Sequence, residues 1–80
     1  MSNESHYDQN LDACGLDCPM PLLKTKMQLK TMQVGEVLYI TATDSGSWRD
    51  LNKFVELTAN EMVAAEEAEG VYHYWIKKGA

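Results

Sequence analysis

The sequence predicts an α+β fold, a two-layer α/β sandwich in which two helices cover one face of a four-stranded mixed sheet. Segments rich in β-branched and aromatic residues alternate with two segments of helical spacing, and Gly-containing breaks separate them. The chain has 80 residues, enough for one domain and not for two. The predicted order is therefore β-α-β-α-β-β, in which each helix buries one apolar stripe against the sheet.

The first half of the chain supplies a strand, a helix and a second strand. Tyr7–Ala13 is predicted as a short strand that Gly15 ends. Pro19–Met32 is predicted as a helix because proline is favoured in a first helical turn, and Gly35 follows where a helix stop is expected. Glu36–Thr43 is rich in strand-forming residues and alternates in polarity.

The apolar positions of these elements predict which side of each one is buried. The inward side of the second strand consists of Leu38, Ile40 and Ala42. The first helix has two apolar sides; the expected core side is Leu22, Thr25, Leu29 and Met32, and the expected partly exposed side is Met20, Leu23 and Met27.

The second half supplies a helix and a hairpin. Ser47–Asn60 is predicted as the second helix, beginning with a capping box between Ser47 and Asp50. Its apolar stripe is Trp48, Leu51, Phe54, Val55 and Thr58. Met62–Ala68 and Val71–Lys78 are predicted strands, joined by a tight turn at residues 69–70.

Composition excludes several classes of protein. The formal net charge of −5 argues against direct binding of nucleic acid. No apolar run approaches the roughly 20 residues that a membrane span needs, and the polar, acidic start does not resemble a signal peptide. We expect a disordered tail over residues 1–6, a single domain over residues 7–80, and a cytoplasmic location with reduced thiols.

The two cysteines are the candidate chemical groups. Cys14 and Cys18 have three residues between them, which is not the C-x-x-C spacing of thioredoxin-like proteins. The only histidines, His6 and His73, do not lie at a zinc-site spacing from them. We therefore predict no metal and no cofactor.

Cys18 is the stronger candidate because it precedes Pro19 at the predicted start of the first helix. An N-cap position there would place the thiol at the positive end of the helix dipole, where it ionises more easily. The alternative is a buried, inert cysteine. No His, Asp or Glu lies within the first turn after Cys18, and a catalytic nucleophile normally has such a base. This absence favours a carrier over an enzyme.

The run Leu11–Lys24, LDACGLDCPMPLLK, resembles the signature of the TusA family of sulfur carriers, also called SirA-like. That family shows a Gly-Leu-x-Cys-Pro-x-Pro core, which Gly15, Leu16, Cys18, Pro19 and Pro21 match. Residues 35–38, 42–47 and 70–72 resemble its second strand, the loop into its second helix and its last hairpin. The resemblance covers about residues 11–78.

This resemblance implies a sulfur carrier that is not a turnover enzyme. Cys18 would accept sulfane sulfur as a persulfide from a cysteine desulfurase or a rhodanese-type donor, and pass it to an acceptor protein. Family members serve tRNA thiolation, molybdoenzyme maturation or sulfur oxidation. Pro19 and Pro21 would shape the site, and a monomer is the simpler expectation. The alternatives are a non-catalytic interaction module, or a thiol–disulfide redox protein that uses Cys14 and Cys18.

Cys14 stands where many tRNA-thiolation members of that family have Arg, which leaves the downstream pathway open. It is either a second thiol that resolves a persulfide or, as we favour, a small apolar residue at the end of a strand. The candidate partner surface is Met20, Lys24, Trp48 and Arg49. For Trp48 a place in the core is the favoured interpretation, because it lies on the apolar stripe of its helix.

Overall fold

The computed structural model describes residues 6–80. The tail predicted over residues 1–6 lies outside the described residues except for His6, which is exposed. The predicted order of elements is confirmed. The elements are β1 (Gln9–Ala13), α1 (Met20–Lys30), β2 (Val37–Ala42), α2 (Gly46–Glu56), β3 (Glu61–Ala68) and β4 (Val71–Lys77).

The sheet is mixed, as predicted, with the strand order β1-β2-β4-β3. β1 runs parallel to β2 with Leu11 opposite Ile40, and β4 runs antiparallel to both β2 and β3. Residues 69 and 70 both have positive φ, 54° and 82°, the backbone of a tight two-residue hairpin turn. Because β1 and β2 are parallel, the loops that leave their carboxyl ends emerge at the same edge of the sheet.

Both helices pack on one face of the sheet and share its core. Leu38, Ile40 and Ala42 are fully buried, which confirms the predicted inward side of β2. From α2, Leu51 is fully buried and Val55 nearly so. From α1, Thr25 and Leu29 are buried, together with Met32 just beyond the helix and Pro21 in its first turn. The other apolar side of α1 is exposed, as expected: Met20, Leu23 and Met27.

Both helices are shorter than predicted. α1 ends at Lys30 and α2 at Glu56, so the predicted ends at Met32 and Asn60 are wrong. The backbone N–H of Leu57 already bonds the carbonyls of Lys53 and Phe54, which tightens the last turn of α2. Beyond it, the Asn60 side chain turns to the C-terminal segment and accepts the N–H of Gly79 at 2.9 Å.

The predicted capping box is also wrong, because tertiary partners take both side chains. α2 begins at Gly46, so Ser47 already lies inside the helix. Its hydroxyl is buried and makes a 2.7 Å hydrogen bond with the Tyr74 hydroxyl of β4. The Asp50 carboxylate accepts a hydrogen bond from Cys18 instead of capping the helix. These two contacts fix the N-terminal part of α2 to the sheet and to the Cys18 loop.

The opposite face of the sheet carries aromatic side chains. Tyr39 stacks on Trp75 and on Tyr7, with ring centroids 4.8 and 5.1 Å apart. The Tyr39 hydroxyl also makes a 2.7 Å hydrogen bond with Nδ1 of His73, a strand residue as expected. Over residues 6–80, no helix is long and apolar enough to cross a membrane.

Candidate functional site

Cys18 lies in the loop between β1 and α1, at the edge where the two parallel strands end. The loops that follow β1 and β2 are tied together there, because the N–H of Gly15 donates to the Thr43 hydroxyl at 2.9 Å. Gly15 has a φ of 84°, a conformation that glycine adopts without steric cost. The backbone conformation of the loop therefore explains why glycine occupies this position of the motif.

The helix start differs from the prediction by one residue. Pro19, not Cys18, is the N-cap residue of α1, and the Cys18–Pro19 peptide bond is cis. The N–H of Met20, the first helical residue, bonds the carbonyl of Asp17 at 2.7 Å. Cys18 is thus placed just ahead of the helix, and the expectation of an N-cap thiol is wrong.

The carboxylate of Asp50 contacts the sulfur of Cys18. The Cys18 thiol donates a hydrogen bond to Oδ2 of Asp50 over 2.9 Å, and the two residues are 32 positions apart in the sequence. The sequence correctly predicted no acid or base in the first turn of α1 after Cys18, but the thiol does have a neighbouring carboxylate. α2 supplies the group from across the fold.

This contact reverses the predicted ionisation of the thiol. The hydrogen bond to Asp50 raises the pKa of Cys18 above its ordinary value, and desolvation and the negative charges of Asp50 and Asp44 raise that pKa further. The Arg49 charge lowers the pKa of Cys18, but it is the smallest of these effects. In this conformation the thiol is held protonated, so the prediction of a more easily ionised cysteine is wrong.

The surroundings of the sulfur come from the start of α2. A Cβ atom placed on Gly46 would lie 3.8 Å from the sulfur of Cys18 and 2.9 Å from Oδ2 of Asp44. That Asp44 oxygen is buried and has no hydrogen-bond partner among residues 6–80. Arg49 lies on the outside, 82% exposed, with Nε 3.7 Å from Oδ1 of Asp50. We call Cys18, Asp44, Gly46, Arg49 and Asp50 the thiol site.

Cys14 differs from our preferred interpretation. It follows the fully buried Ala13, yet it is itself exposed, so it does not pack as a small apolar residue. Its backbone N–H donates to Oδ1 of Asp12 at 3.0 Å. Cys14 and Cys18 are both free thiols.

All four residues of the predicted partner surface are exposed. Met20, two residues from Cys18, is 39% exposed. Trp48 is 41% exposed, and its ring packs against Tyr72 and Tyr74, so the core assignment is wrong. Lys24 lines a surface groove with Leu11, Met27, Gln28 and Thr31.

Asp44, Gly46 and Asp50 were not predicted from the sequence as residues of the site. A signal for them was present, because Asp44 lies in the short loop between the end of β2 and the start of α2. Once β1 and β2 are paired in parallel, both loops are placed at one edge. In the described part of the chain, no cluster of three or more His, Cys, Asp or Glu side chains is arranged to hold a metal ion.

Comparison with known proteins gives a consistent result. The chain is 46% identical over 72 residues to the sulfur carrier protein TusA of Allochromatium vinosum, an alignment that covers 90% of this chain and 95% of the relative. It is 38% identical over 74 residues to the sulfur carrier protein TusA of Pseudomonas entomophila, covering 92% of each.

The crystal structure of a SirA-like protein from Desulfitobacterium hafniense has the same fold. It superimposes with a TM-score of 0.78 at 26% identity and covers 91% of this chain and 100% of its own. The profile of the family described as sulfurtransferase TusA matches residues 9–78. The chain therefore belongs to the sulfurtransferase TusA family.

Proposed function

We propose that the protein is a sulfur carrier that accepts sulfane sulfur on Cys18 as a persulfide and passes it to a partner protein. The observation that carries this proposal is the thiol itself: it is free, exposed and held at the rim of the sheet inside the Cys-Pro-x-Pro run. Relatives of nearly the same length are named sulfur carrier proteins. Gly15, Leu16, Pro19 and Pro21 would shape the loop around the sulfur.

The transfer is a thiol exchange at a sulfane sulfur. The Cys18 sulfur attacks the outer sulfur of a donor persulfide, a new S–S bond forms on Cys18, and the donor S–S bond breaks. The donor leaves as a thiol after taking up one proton, so no net oxidation occurs. An acceptor thiol removes the outer sulfur by the same chemistry and restores the Cys18 thiol.

This chemistry implies two partners in turn. The donor class is a cysteine desulfurase or a rhodanese-type protein, and the acceptor is another protein of a sulfur relay. Cys18 returns to its starting state only after both exchanges, and between them the sulfur travels on this protein from one partner to the next, which is the role of a carrier and not of a turnover enzyme. Because the carrier thiol must stay reduced between transfers, we place the protein in the cytoplasm.

Intact-protein mass spectrometry after incubation with a cysteine desulfurase and cysteine tests the proposal. We expect the wild-type chain and Cys14→Ser to gain the mass of one sulfur atom, and Cys18→Ser to gain none. Dithiothreitol should remove the added mass, which separates a persulfide from a stable adduct. Loading of Cys18→Ser, or loss of loading in Cys14→Ser alone, would contradict the assignment of Cys18.

A further inference from the structure

The contact between Asp50 and Cys18 is built into the fold. Asp50 sits on α2 with its side chain only 18% exposed. The same helix is anchored by the fully buried Leu51 and by the hydrogen bond of Ser47 to Tyr74. The carboxylate is therefore held at the sulfur by a packed helix and not by a mobile loop.

Sulfur acceptance requires the thiol proton to leave Cys18. The thiol is held protonated, because its hydrogen bond and the nearby carboxylates favour the neutral form. Most carrier molecules therefore meet a donor as the thiol, and the proton must move as the new S–S bond forms. The atom positioned to accept it is Oδ2 of Asp50, 2.9 Å from the sulfur and within reach for a general base.

Building on the proposed function, we propose that Asp50 is the proton acceptor for Cys18 during sulfur acceptance. As the Cys18 sulfur bonds the outer sulfur of the donor, its proton passes to Asp50. The donor S–S bond breaks, the electron pair stays on the donor sulfur, and Asp50 returns the proton to that leaving thiolate. Asp50 ends ionised, as it began, and every atom and charge is accounted for.

Asp44 provides a matched control for this role. Both carboxylates disfavour the thiolate through their charge, but only Asp50 makes a hydrogen bond to the sulfur. Removing either charge should lower the pKa of Cys18 and increase the thiolate fraction at neutral pH. Only the loss of Asp50 should also remove the proton acceptor.

Two reactions of the same thiol separate these effects. Alkylation by iodoacetamide reports the thiolate fraction and needs no proton for a leaving thiol. Sulfur acceptance from glutathione persulfide needs proton transfer but no docking of a protein donor. We expect Asp50→Asn to alkylate several-fold faster at pH 7 and to accept sulfur slower by about 10²-fold, the lower range for losing a general base.

The experiment compares Asp50→Asn, Asp50→Glu and Asp44→Asn in the Cys14→Ser background, with circular dichroism melting as the fold check. Asp44→Asn should speed both reactions, and Asp50→Glu should retain part of the sulfur acceptance because it keeps a carboxylate. Equal acceleration of both reactions in Asp50→Asn would overturn the role of Asp50. If the Cys14→Ser background accepts sulfur neither from glutathione persulfide nor from a cysteine desulfurase, the proposed function fails, and the inference with it.

A second measurement needs no change at Asp50. It compares, in H₂O and in D₂O, the ratio of the rate of sulfur acceptance to the rate of alkylation. Because both rates depend on thiol ionisation, the effect of D₂O on that ionisation cancels in the ratio. A proton in transfer at Asp50 predicts a lower ratio in D₂O. The same ratio in both solvents would overturn the proposal even if Asp50→Asn failed to fold.

Discussion

Cys14 and Cys18 are both exposed, free and on the same loop, yet they have different hydrogen-bond partners. The side chain of Cys18 contacts a carboxylate of α2, whereas Cys14 makes its backbone and side-chain hydrogen bonds to Asp12 of β1, two positions earlier in the chain. What separates the two thiols is a tertiary contact 32 positions away and not exposure. Under the proposed function, position relative to α2 distinguishes the sulfur-carrying cysteine from Cys14.

The largest effect we expect is a change in the rate of Cys18 alkylation with pH. In the Cys14→Ser variant, the alkylation rate should rise about tenfold per pH unit while the thiol is mostly protonated. Because the pKa of Cys18 is raised, the rate should continue to rise above the pH at which free cysteine is half ionised. Iodoacetamide rates followed from pH 6 to about 11, with free cysteine as the reference, measure this. A midpoint below that of free cysteine would contradict the hydrogen bond to Asp50.

The anchor of α2 to the sheet should matter for stability. Tyr74→Phe leaves the buried Ser47 hydroxyl without its partner, and a buried unsatisfied group costs about 1–3 kcal/mol in the free energy of unfolding. Urea denaturation measures the change. Ser47→Ala combined with Tyr74→Phe is the control, since removing both hydroxyls should cost less than the sum of the single changes.

The same tyrosine gives an alkaline signature. Burial raises the pKa of Tyr74, and the Ser47 hydrogen bond opposes this only partly. A group with a raised pKa in the folded state contributes stability below its unfolded pKa and loses it as pH rises through the folded value. The stability gap between wild type and Tyr74→Phe should therefore narrow at alkaline pH. A constant gap would argue against a buried Tyr74 hydroxyl.

The smallest effect is expected at the Cys14 end of the loop. The Cys14 backbone N–H lowers the pKa of Asp12, so this carboxylate stabilises the fold above its unfolded pKa and less as pH falls. Asp12→Asn should lower the melting temperature slightly at neutral pH and not at acid pH. Sulfur loading should stay unchanged, and a loss of loading would show that the two ends of the loop are coupled.

The fold could be predicted from the sequence because its signals are local. Alternating Leu38, Ile40 and Ala42 identified the inward face of β2, and the Pro-rich start identified α1. Cys18 could be selected as the candidate thiol from the Cys-Pro-x-Pro run. These features depend on neighbouring residues along the chain.

The chemistry of the site could not be predicted in the same way. Asp50 has the spacing of a capping box with Ser47, but tertiary contacts recruit both side chains. Only the parallel pairing of β1 with β2 brings Asp50 to the sulfur. The helix dipole alone therefore predicts the wrong direction for the pKa shift of Cys18.

We propose that Cys18, and not Cys14, carries the sulfur in the unaltered protein. No Lys or Arg lies between the two cysteines, so a tryptic peptide contains both, and tandem mass spectrometry must locate the added sulfur within it. The protein is loaded by a cysteine desulfurase and its free thiols are then blocked. N-terminal fragment ions that end between Cys14 and Cys18 should lack the added sulfur, and N-terminal fragment ions that include Cys18 should carry it. Added sulfur on N-terminal fragments that end before Cys18 would contradict the assignment of Cys18.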